Sequence, residues 1–437
     1  MLLVLSVAGW AGAGPVSFYG KLKTNGGPYL RSSITGKAVQ VKGVSFFWSQ
    51  WTDGSVFYNE NAVDRMAQDW KAEIVRAAYG ATGYAFDDSA AVVNRKRIEA
   101  VVDAAIKNDI YVIIDWHSHK AHGAAETERA KKFFAYFAEK YKERDNVIFE
   151  LYNEPLCKDP TINQPPCEYV AWQEIKEYAE KVKDEIRKYS ENLILVGTPY
   201  YSQQIKQVVG NAIDDPNLGY VLHFYAASHS LSSFSSDIID VQSVARLPIF
   251  VTEFGTTNAD GGDPTKGNYN SHNATRTDEW LAFLNTRSIS YVAWSLSQKY
   301  EGSAFFGETK STFDQTVPEN WTNTSFMTAS GVYIMNMLRT SYEKAPWNPI
   351  VAPILKAGKA GTAGLRAVSG KVYVDIAKGG ETRLNAYSLN GALLKTVFSG
   401  YLNAGSHEFA LDLPKGVFAL RLSQKNDNST IIVIKKQ

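Results

Sequence analysis

Between residues 40 and 340 the chain repeats one pattern eight times, a short apolar run followed by a stretch that reads as an amphipathic helix. The apolar runs are residues 41–47, 74–79, 110–116, 147–153, 193–198, 220–225, 249–254 and 291–296. They are rich in Val, Ile and aromatic residues and nearly continuous in hydrophobicity, as strands covered on both faces are. Helical stretches lie between them, for example 92–107, 126–142 and 169–189; the last sets Glu and Lys on one side and apolar residues on the other. Eight such units predict a closed parallel (β/α)8 TIM barrel of the α/β class rather than an open doubly wound sheet. No glycine-rich phosphate loop follows the first strand, which counts against a nucleotide-binding fold.

The two ends read differently. Residues 1–13 are an apolar run closed by Ala11-Gly12-Ala13, the pattern of a signal peptide and its cleavage site. The positive residues that usually precede such a run are missing, which leaves room for a start upstream. Export is therefore expected, with a secreted or cell-surface location. After the barrel region (14–348), residues 349–364 are rich in Ala, Gly and Lys and read as a linker. Residues 365–437 carry short alternating runs at 371–376, 382–388, 407–411, 418–422 and 431–434, with Asn390-Gly391 placed for a hairpin turn. A small C-terminal all-β sandwich is expected there. Residues 351–437 hold nine Lys and three Arg against five acidic residues, a net +7 on a chain whose total is +1. A basic module on a mildly acidic body suggests two units with different tasks. The near-zero total argues against nucleic acid as a partner. Cys157 and Cys167 flank a proline-containing loop and can close a local disulfide in an exported protein; their spacing is not that of a zinc site.

In a β/α barrel the working residues stand at the carboxyl ends of the strands. Those ends carry Arg76, His117, Asn153 and Glu154, His223 and Tyr225, Glu253, and Trp294. Each alone is unremarkable as a loop polar group, but the set at equivalent places is hard to assign to chance. Two glutamates on different strands suit the cleavage of a glycosidic bond, which needs a proton for the leaving oxygen and an opposing carboxylate for the oxocarbenium-like centre. Arg76 and the Tyr225 hydroxyl are expected to keep Glu253 ionised, and a neighbouring negative charge to keep Glu154 protonated.

The motifs Lys42-Gly43-Val44 to Gln50-Trp51, Ile74-Val75-Arg76, Asp115-Trp116-His117-Ser118-His119, Tyr152-Asn153-Glu154-Pro155, His223-Phe224-Tyr225, Val251-Thr252-Glu253-Phe254-Gly255 and Ala293-Trp294-Ser295-Leu296-Ser297 stand in an order that resembles glycoside hydrolase family 5, in its bacterial endoglucanase branch. The likeness covers about residues 16–340. It implies a retaining endo-β-1,4-glucanase (cellulase), with Glu154 as general acid/base and Glu253 as nucleophile. Asn153 would bind the sugar 2-hydroxyl, Arg76 and Tyr225 would position Glu253, and His223 would sit near Glu154. His117 would bind the sugar beside the scissile bond, Trp294 would form its floor, and Lys299 and Glu301 would bind glucose further along. Trp51 matches a distal stacking position; Tyr201 stands where Trp is frequent on the leaving-group side, and Phe47 where relatives can carry His. The resemblance implies a β-glucan substrate; a monomer without cofactor or metal is expected. Mannanase, lichenase and xyloglucanase remain alternatives on this scaffold. The motif Leu413-Pro414-Lys415-Gly416-Val417-Phe418 resembles C-terminal sorting or basic terminal domains of secreted enzymes of fibre-degrading bacteria, and suggests contact with secretion machinery or the cell surface. A cellulose-binding module is the competing reading, but residues 365–437 contain no Trp.

Two other classes are compatible with parts of the pattern. His117-Ser118-His119 with His122 resembles a metal-ligand cluster, but a metal hydrolase would leave Asn153-Glu154-Pro155 and Trp294 without a role. A catalytically dead sugar-binding barrel would retain neither glutamate by necessity, and both are present.

Overall fold

A computed structural model of the chain describes residues 14–81, 84–162, 164–307, 313–347, 364–368, 371–387, 393–411, 416–424 and 430–436. Two compact units divide it, Met1–Arg339 and Thr340–Gln437.

In the first unit eight parallel strands close into a barrel in sequence order: β1 Lys42–Phe46, β2 Ile74–Gly80, β3 Tyr111–His117, β4 Val147–Glu150, β5 Ile194–Val196, β6 Leu218–Tyr225, β7 Ile249–Gly255 and β8 Ser290–Leu296. The TIM-barrel expectation is met. All eight expected runs contain a strand, but β4 ends three residues earlier than expected and leaves Leu151, Tyr152 and Asn153 in a loop. The larger helices are α1 Glu60–Gln68, α2 Ser89–Lys107, α3 Ala124–Lys140, α4 Trp172–Arg187, α5 Ala274–Thr286 and α6 Ala329–Glu343.

Alternation along the strands sorts residues into two layers. Val75, Ala77, Val112, Ile114, Phe149, Val251 and Phe254 join the large core that also takes Ile98 of α2, Phe133 of α3 and Ile175 of α4. Ile74, Ile113, Ile148, Leu195, Val221, Phe250 and Val292 fill the barrel interior. Leu22, Leu30, Val39 and Val41 join that inner cluster. They come from an N-terminal segment with a two-stranded ladder, Leu22–Lys23 against Arg31–Ser32, which was not anticipated. Two residues further along the strands the interior turns polar, with Arg76, Asp115, Glu150 and Thr252 all buried. The fold thus seals one end of the barrel with hydrocarbon and builds an ionic layer above it.

β7 is irregular. Two steps of β6, from Val221 to His223, span three of β7, from Phe250 to Glu253. The same excess appears against β8, where Tyr291 and Ala293 pair with Val251 and Phe254. One extra residue bulges from β7 between Val251 and Phe254, so Thr252 and Glu253 both reach interior groups.

In the second unit, β9 Gly364–Val368, β10 Lys371–Ile376 and β13 Gly405–Ala410 form one antiparallel sheet in the order β9-β10-β13. β11 Gly380–Tyr387, β12 Leu393–Leu402, β14 Gly416–Gln424 and β15 Thr430–Lys436 form the other, in the order β12-β11-β14-β15. Val372, Val374 and Ile376 from the first sheet and Leu384, Ala386, Leu420 and Leu422 from the second share one core. β12 was not foreseen, because it is an edge strand with exposed Leu393 and Leu394 and weak alternation. Residues 1–13, Asn390-Gly391, Leu413-Pro414-Lys415 and the 349–364 linker lie outside the described residues, except that Gly364 already opens β9.

Close strand contact makes one glycine testable. A Cβ at Gly43 would lie 1.7 Å from the Ile74 carbonyl oxygen on β2. Gly43→Ala is expected to lower barrel stability by about 1–3 kcal/mol, read as a shift of the barrel transition in urea unfolding; an unchanged midpoint would contradict this packing.

Candidate active site

Arg76 is wholly buried at the centre of the ionic layer. Its Nε and Nη2 donate to the two Glu150 oxygens at 2.8 and 3.1 Å, a two-pronged contact. Nη2 also reaches Asp115 at 2.9 Å and Asn153 Oδ1 at 2.6 Å, and Nη1 reaches Glu253 at 3.3 Å. Tyr225 donates to the other Glu253 oxygen at 2.7 Å.

Glu154 stands on the loop after β4, and that loop is pinned at several points. The Glu154 N–H donates to the Ser118 carbonyl at 3.2 Å, Tyr201 N–H to the Pro155 carbonyl at 3.1 Å, and Ser202 Oγ to the Asn153 carbonyl at 2.7 Å. Tyr200, Tyr201 and Ser202 all adopt left-handed backbone, with φ of 57°, 56° and 55°. Three consecutive residues there carry local strain that the surrounding contacts must offset. The Glu154 carboxyl meets His223 Nδ1 at 3.0 Å and His119 Nε2 at 3.3 Å. One oxygen each from Glu154 and Glu253, with a ring nitrogen of His223, all lie within 4.8 Å of one another.

The charge balance differs from expectation. Burial, then the nearby Glu154 charge, pushes Glu253 up to about 8, against the downward pull of Arg76 and the Tyr225 hydroxyl. Glu154 also feels burial, but hydrogen bonds and charge from His119 and His223 outweigh it and hold its carboxyl well below the usual range. The pair therefore keeps one proton, weighted toward Glu253, where the reverse is expected from the sequence. The reason is the two imidazoles converging on Glu154, at 3.0 and 3.3 Å, which that expectation did not count. Two carboxyls this close titrate as a unit, so the shared proton belongs to the pair. Burial raises Asp115 to about 7, and burial together with the Arg76 charge keeps His117 neutral.

Above the ionic layer opens a cleft of about 590 Å³, lined in part by Phe47, Trp48, His117, Glu154, Tyr201, Glu253, Trp294, Lys299 and Glu301. His117 Nδ1 bonds Asp115 at 2.7 Å, and its ring lies parallel to Trp294 with centroids 5.3 Å apart. Asn153 spends its carbonyl on Arg76, and its Nδ2 donates to no described group. Lys299 and buried Glu301 form an ion pair at 2.5 Å, with Lys299 over the Phe47 ring. Eleven of the twelve anticipated residues thus gather in or directly beneath one cleft. Trp51 does not: it is 59% exposed and lines a separate groove with Gln50, Tyr84, Asn94 and Arg97. Cys157 and Cys167 are joined in a disulfide with Cα atoms 5.7 Å apart.

The His117-Ser118-His119 cluster with His122 disperses. His117 turns to Asp115, His119 to Glu154, and His122 to the Tyr152 hydroxyl and the Lys158 carbonyl. Sequence reasoning missed Asp115, Glu150, Thr252, Trp48 and the role of His119. An acid inside an apolar strand, as in Val147–Glu150, was the available signal. Trp48, whose ring stands edge-on to His117 with centroids 4.1 Å apart, carried none.

Fold and site together define a (β/α)8-barrel protein whose cleft is organised around a buried glutamate, Glu253, and a partly exposed one, Glu154. The chain belongs to glycosyl hydrolase family 5: residues 32–300 match the family model described as Cellulase (glycosyl hydrolase family 5). It is 38% identical over 318 residues to endoglucanase Z of Dickeya dadantii, covering 70% of this chain and 65% of that enzyme's length. It is 35% identical to cellulase CelDZ1 of a Thermoanaerobacterium species, over 72% of this chain and 79% of the relative. Among solved structures, the catalytic domain of Thermobifida fusca endoglucanase Cel5A superposes with a TM-score of 0.62 at 27% identity, covering 75% of this chain and all of that domain. That domain was also crystallised with cellotetraose.

A carboxyl whose folded pKa lies above its unfolded value favours the fold at low pH, and that contribution fades as pH rises through the folded value. For Glu253 the window runs from the ordinary carboxyl range to about 8. Glu253→Gln removes the buried ionisation, so its Tm relative to the parent should rise steadily between about pH 5 and about pH 9. A difference flat across that range would refute the burial-driven shift.

Proposed function

We propose that the protein is a retaining endo-β-1,4-glucanase that hydrolyses internal bonds of cellulose and related β-glucans. The observation that carries this reading is the approach of Glu154 and Glu253 oxygens within 4.8 Å. Carboxyls about 5–5.5 Å apart leave space for direct attack on the anomeric carbon, whereas inverting pairs stand about 6.5–9.5 Å apart with a water between.

In the reactive state the shared proton sits on Glu154 and Glu253 is ionised. Glu154 gives that proton to the glycosidic oxygen as the C1–O bond breaks, while Glu253 bonds to C1 and forms a glycosyl-enzyme ester. Esterification removes the Glu253 charge, so Glu154, now a carboxylate, takes a proton from water. The resulting hydroxide attacks C1, releases Glu253, and restores the original configuration. The free Asn153 Nδ2 is a donor for the 2-hydroxyl, Trp294 the floor of the adjacent sugar, and Lys299 with Glu301 a polar clamp further along. Tyr201 supplies an aromatic face on the leaving-group side. Trp51 serves a glucan chain only where it extends past the main cleft, since it lines a neighbouring groove.

The relatives named endoglucanase and cellulase favour glucan over mannan or xyloglucan. The disulfide fits an oxidising compartment and hence export. The C-terminal β unit serves sorting or surface attachment in this reading, and takes no part in bond cleavage.

Proton NMR during early hydrolysis of a soluble cello-oligosaccharide is expected to show the β-anomer first; initial appearance of the α-anomer would overturn the two-step scheme. On carboxymethylcellulose, Glu154→Gln should lower kcat by about 10²–10⁴-fold, and Glu253→Gln should abolish release of reducing ends. Initial rates on carboxymethylcellulose and mixed-linkage glucan should exceed those on mannan and xyloglucan. The opposite order would reassign the substrate.

A further inference from the structure

Hydrogen-bond directions beneath the cleft can be followed from one group to the next. Glu150 accepts from Arg76 with both oxygens, at 2.8 and 3.1 Å, and the paired guanidinium favours its carboxylate form, which is an acceptor only. Its Oε1 also lies 2.7 Å from the Thr252 hydroxyl. Thr252 has one hydroxyl proton, and that proton is committed to Glu150. The same hydroxyl oxygen stands 2.9 Å from His223 Nε2, so it can only accept there, and Nε2 carries a hydrogen. In a neutral imidazole the remaining nitrogen, Nδ1, is then a bare acceptor. It faces Glu154 Oε1 at 3.0 Å. A contact of that length between a bare nitrogen and a carboxyl oxygen needs a proton between them, and this is the place the pair's shared proton takes when Glu253 is ionised for attack.

We propose that Thr252, oriented by Glu150, is a positioning residue that locks the His223 tautomer and so obliges the His223–Glu154 contact to hold the proton used in catalysis. This rests on the reading of Glu154 as the general acid. The β7 bulge makes it possible. With regular alternation Thr252 and Glu253 would point to opposite faces; the extra residue between Val251 and Phe254 brings both inside. One strand thereby presents the nucleophile and, next to it, the hydroxyl that sets the opposing acid's proton.

Thr252→Val keeps the shape and removes the hydroxyl. His223 can then move its hydrogen to Nδ1 and donate to an ionised Glu154, which stabilises the carboxylate and makes it a poorer acid. The other ionisable groups that act on Glu154 or respond to its charge are Asp115, His117 and His119 on and after β3, Tyr201, Tyr225, His229 and Glu253, and none of them changes.

The test compares two substrates with the full chain. Cellotetraose needs leaving-group protonation; 2,4-dinitrophenyl β-cellobioside releases a phenolate that does not. T252V is expected to lower kcat/KM on cellotetraose relative to the aryl glycoside by about 10–100-fold, less than the about 10²–10⁴-fold of losing the general acid itself. It should also move the alkaline limb of the cellotetraose profile to lower pH. T252S, which restores the hydroxyl, should recover both. An equal loss on both substrates, an unmoved alkaline limb, or no recovery by T252S would overturn the assignment to Thr252, since merely structural damage would act on both substrates alike. Glu154→Gln separates this from the parent reading. If that variant loses equally on both substrates, Glu154 is not the acid; if it loses selectively while T252V does not, only the Thr252 inference falls.

Discussion

A single guanidinium buried among carboxylates organises the barrel's centre. Arg76 contacts Asp115, Glu150 and Glu253, and Glu154 lies close enough to Glu253 to add a fourth negative group. One positive charge cannot compensate four acids in so largely buried a space, because each unpaired buried ion costs several kcal/mol. The imbalance is relieved by protons and imidazoles. Asp115 is raised to about 7 and Glu253 to about 8, while His119 and His223 lean on Glu154. A site that must hold one mobile proton near neutrality follows from this packing. Beneath it, the hydrocarbon plug of Leu22, Leu30 and Val39 with Ile74 and Phe250 excludes water from one side of the ionic layer.

Two departures from an ideal barrel turn that layer into a cleft. β4 stops early, so Asn153 and Glu154 ride on a loop that can be steered by Ser118, Ser202 and Tyr201. β7 carries an extra residue, so two neighbouring side chains reach the interior. Neither feature contributes regular strand pairing, and both sit where the two glutamates meet. Local irregularity is concentrated where geometry must be set by tertiary contact, and the strained Tyr200–Ser202 turn belongs to the same group.

The sequence disclosed these features unevenly. The barrel was legible because fully covered strands write themselves as apolar runs, and because His117, Glu253 and Trp294 fall at or near their carboxyl ends. The length of β4 was not, since Leu151 and Tyr152 are as apolar as the strand before them. The edge strand β12 was missed because it faces a core on one side only weakly. The direction of proton bias was misjudged because His119 was read as part of a His-rich run, when its partner is a residue 35 positions away.

By itself the sequence determined the fold class, the two-unit organisation and which residue types stand at the barrel mouth, because those depend on short-range periodicity. Tertiary structure alone decided which carboxyl holds the proton, that Thr252 and Glu253 face the same way, and that Trp51 lies outside the main cleft. The physical reason is that charge balance and side-chain direction are set by neighbours brought together from distant strands. A period of two or 3.6 residues carries no record of a bulge or of a partner across the barrel.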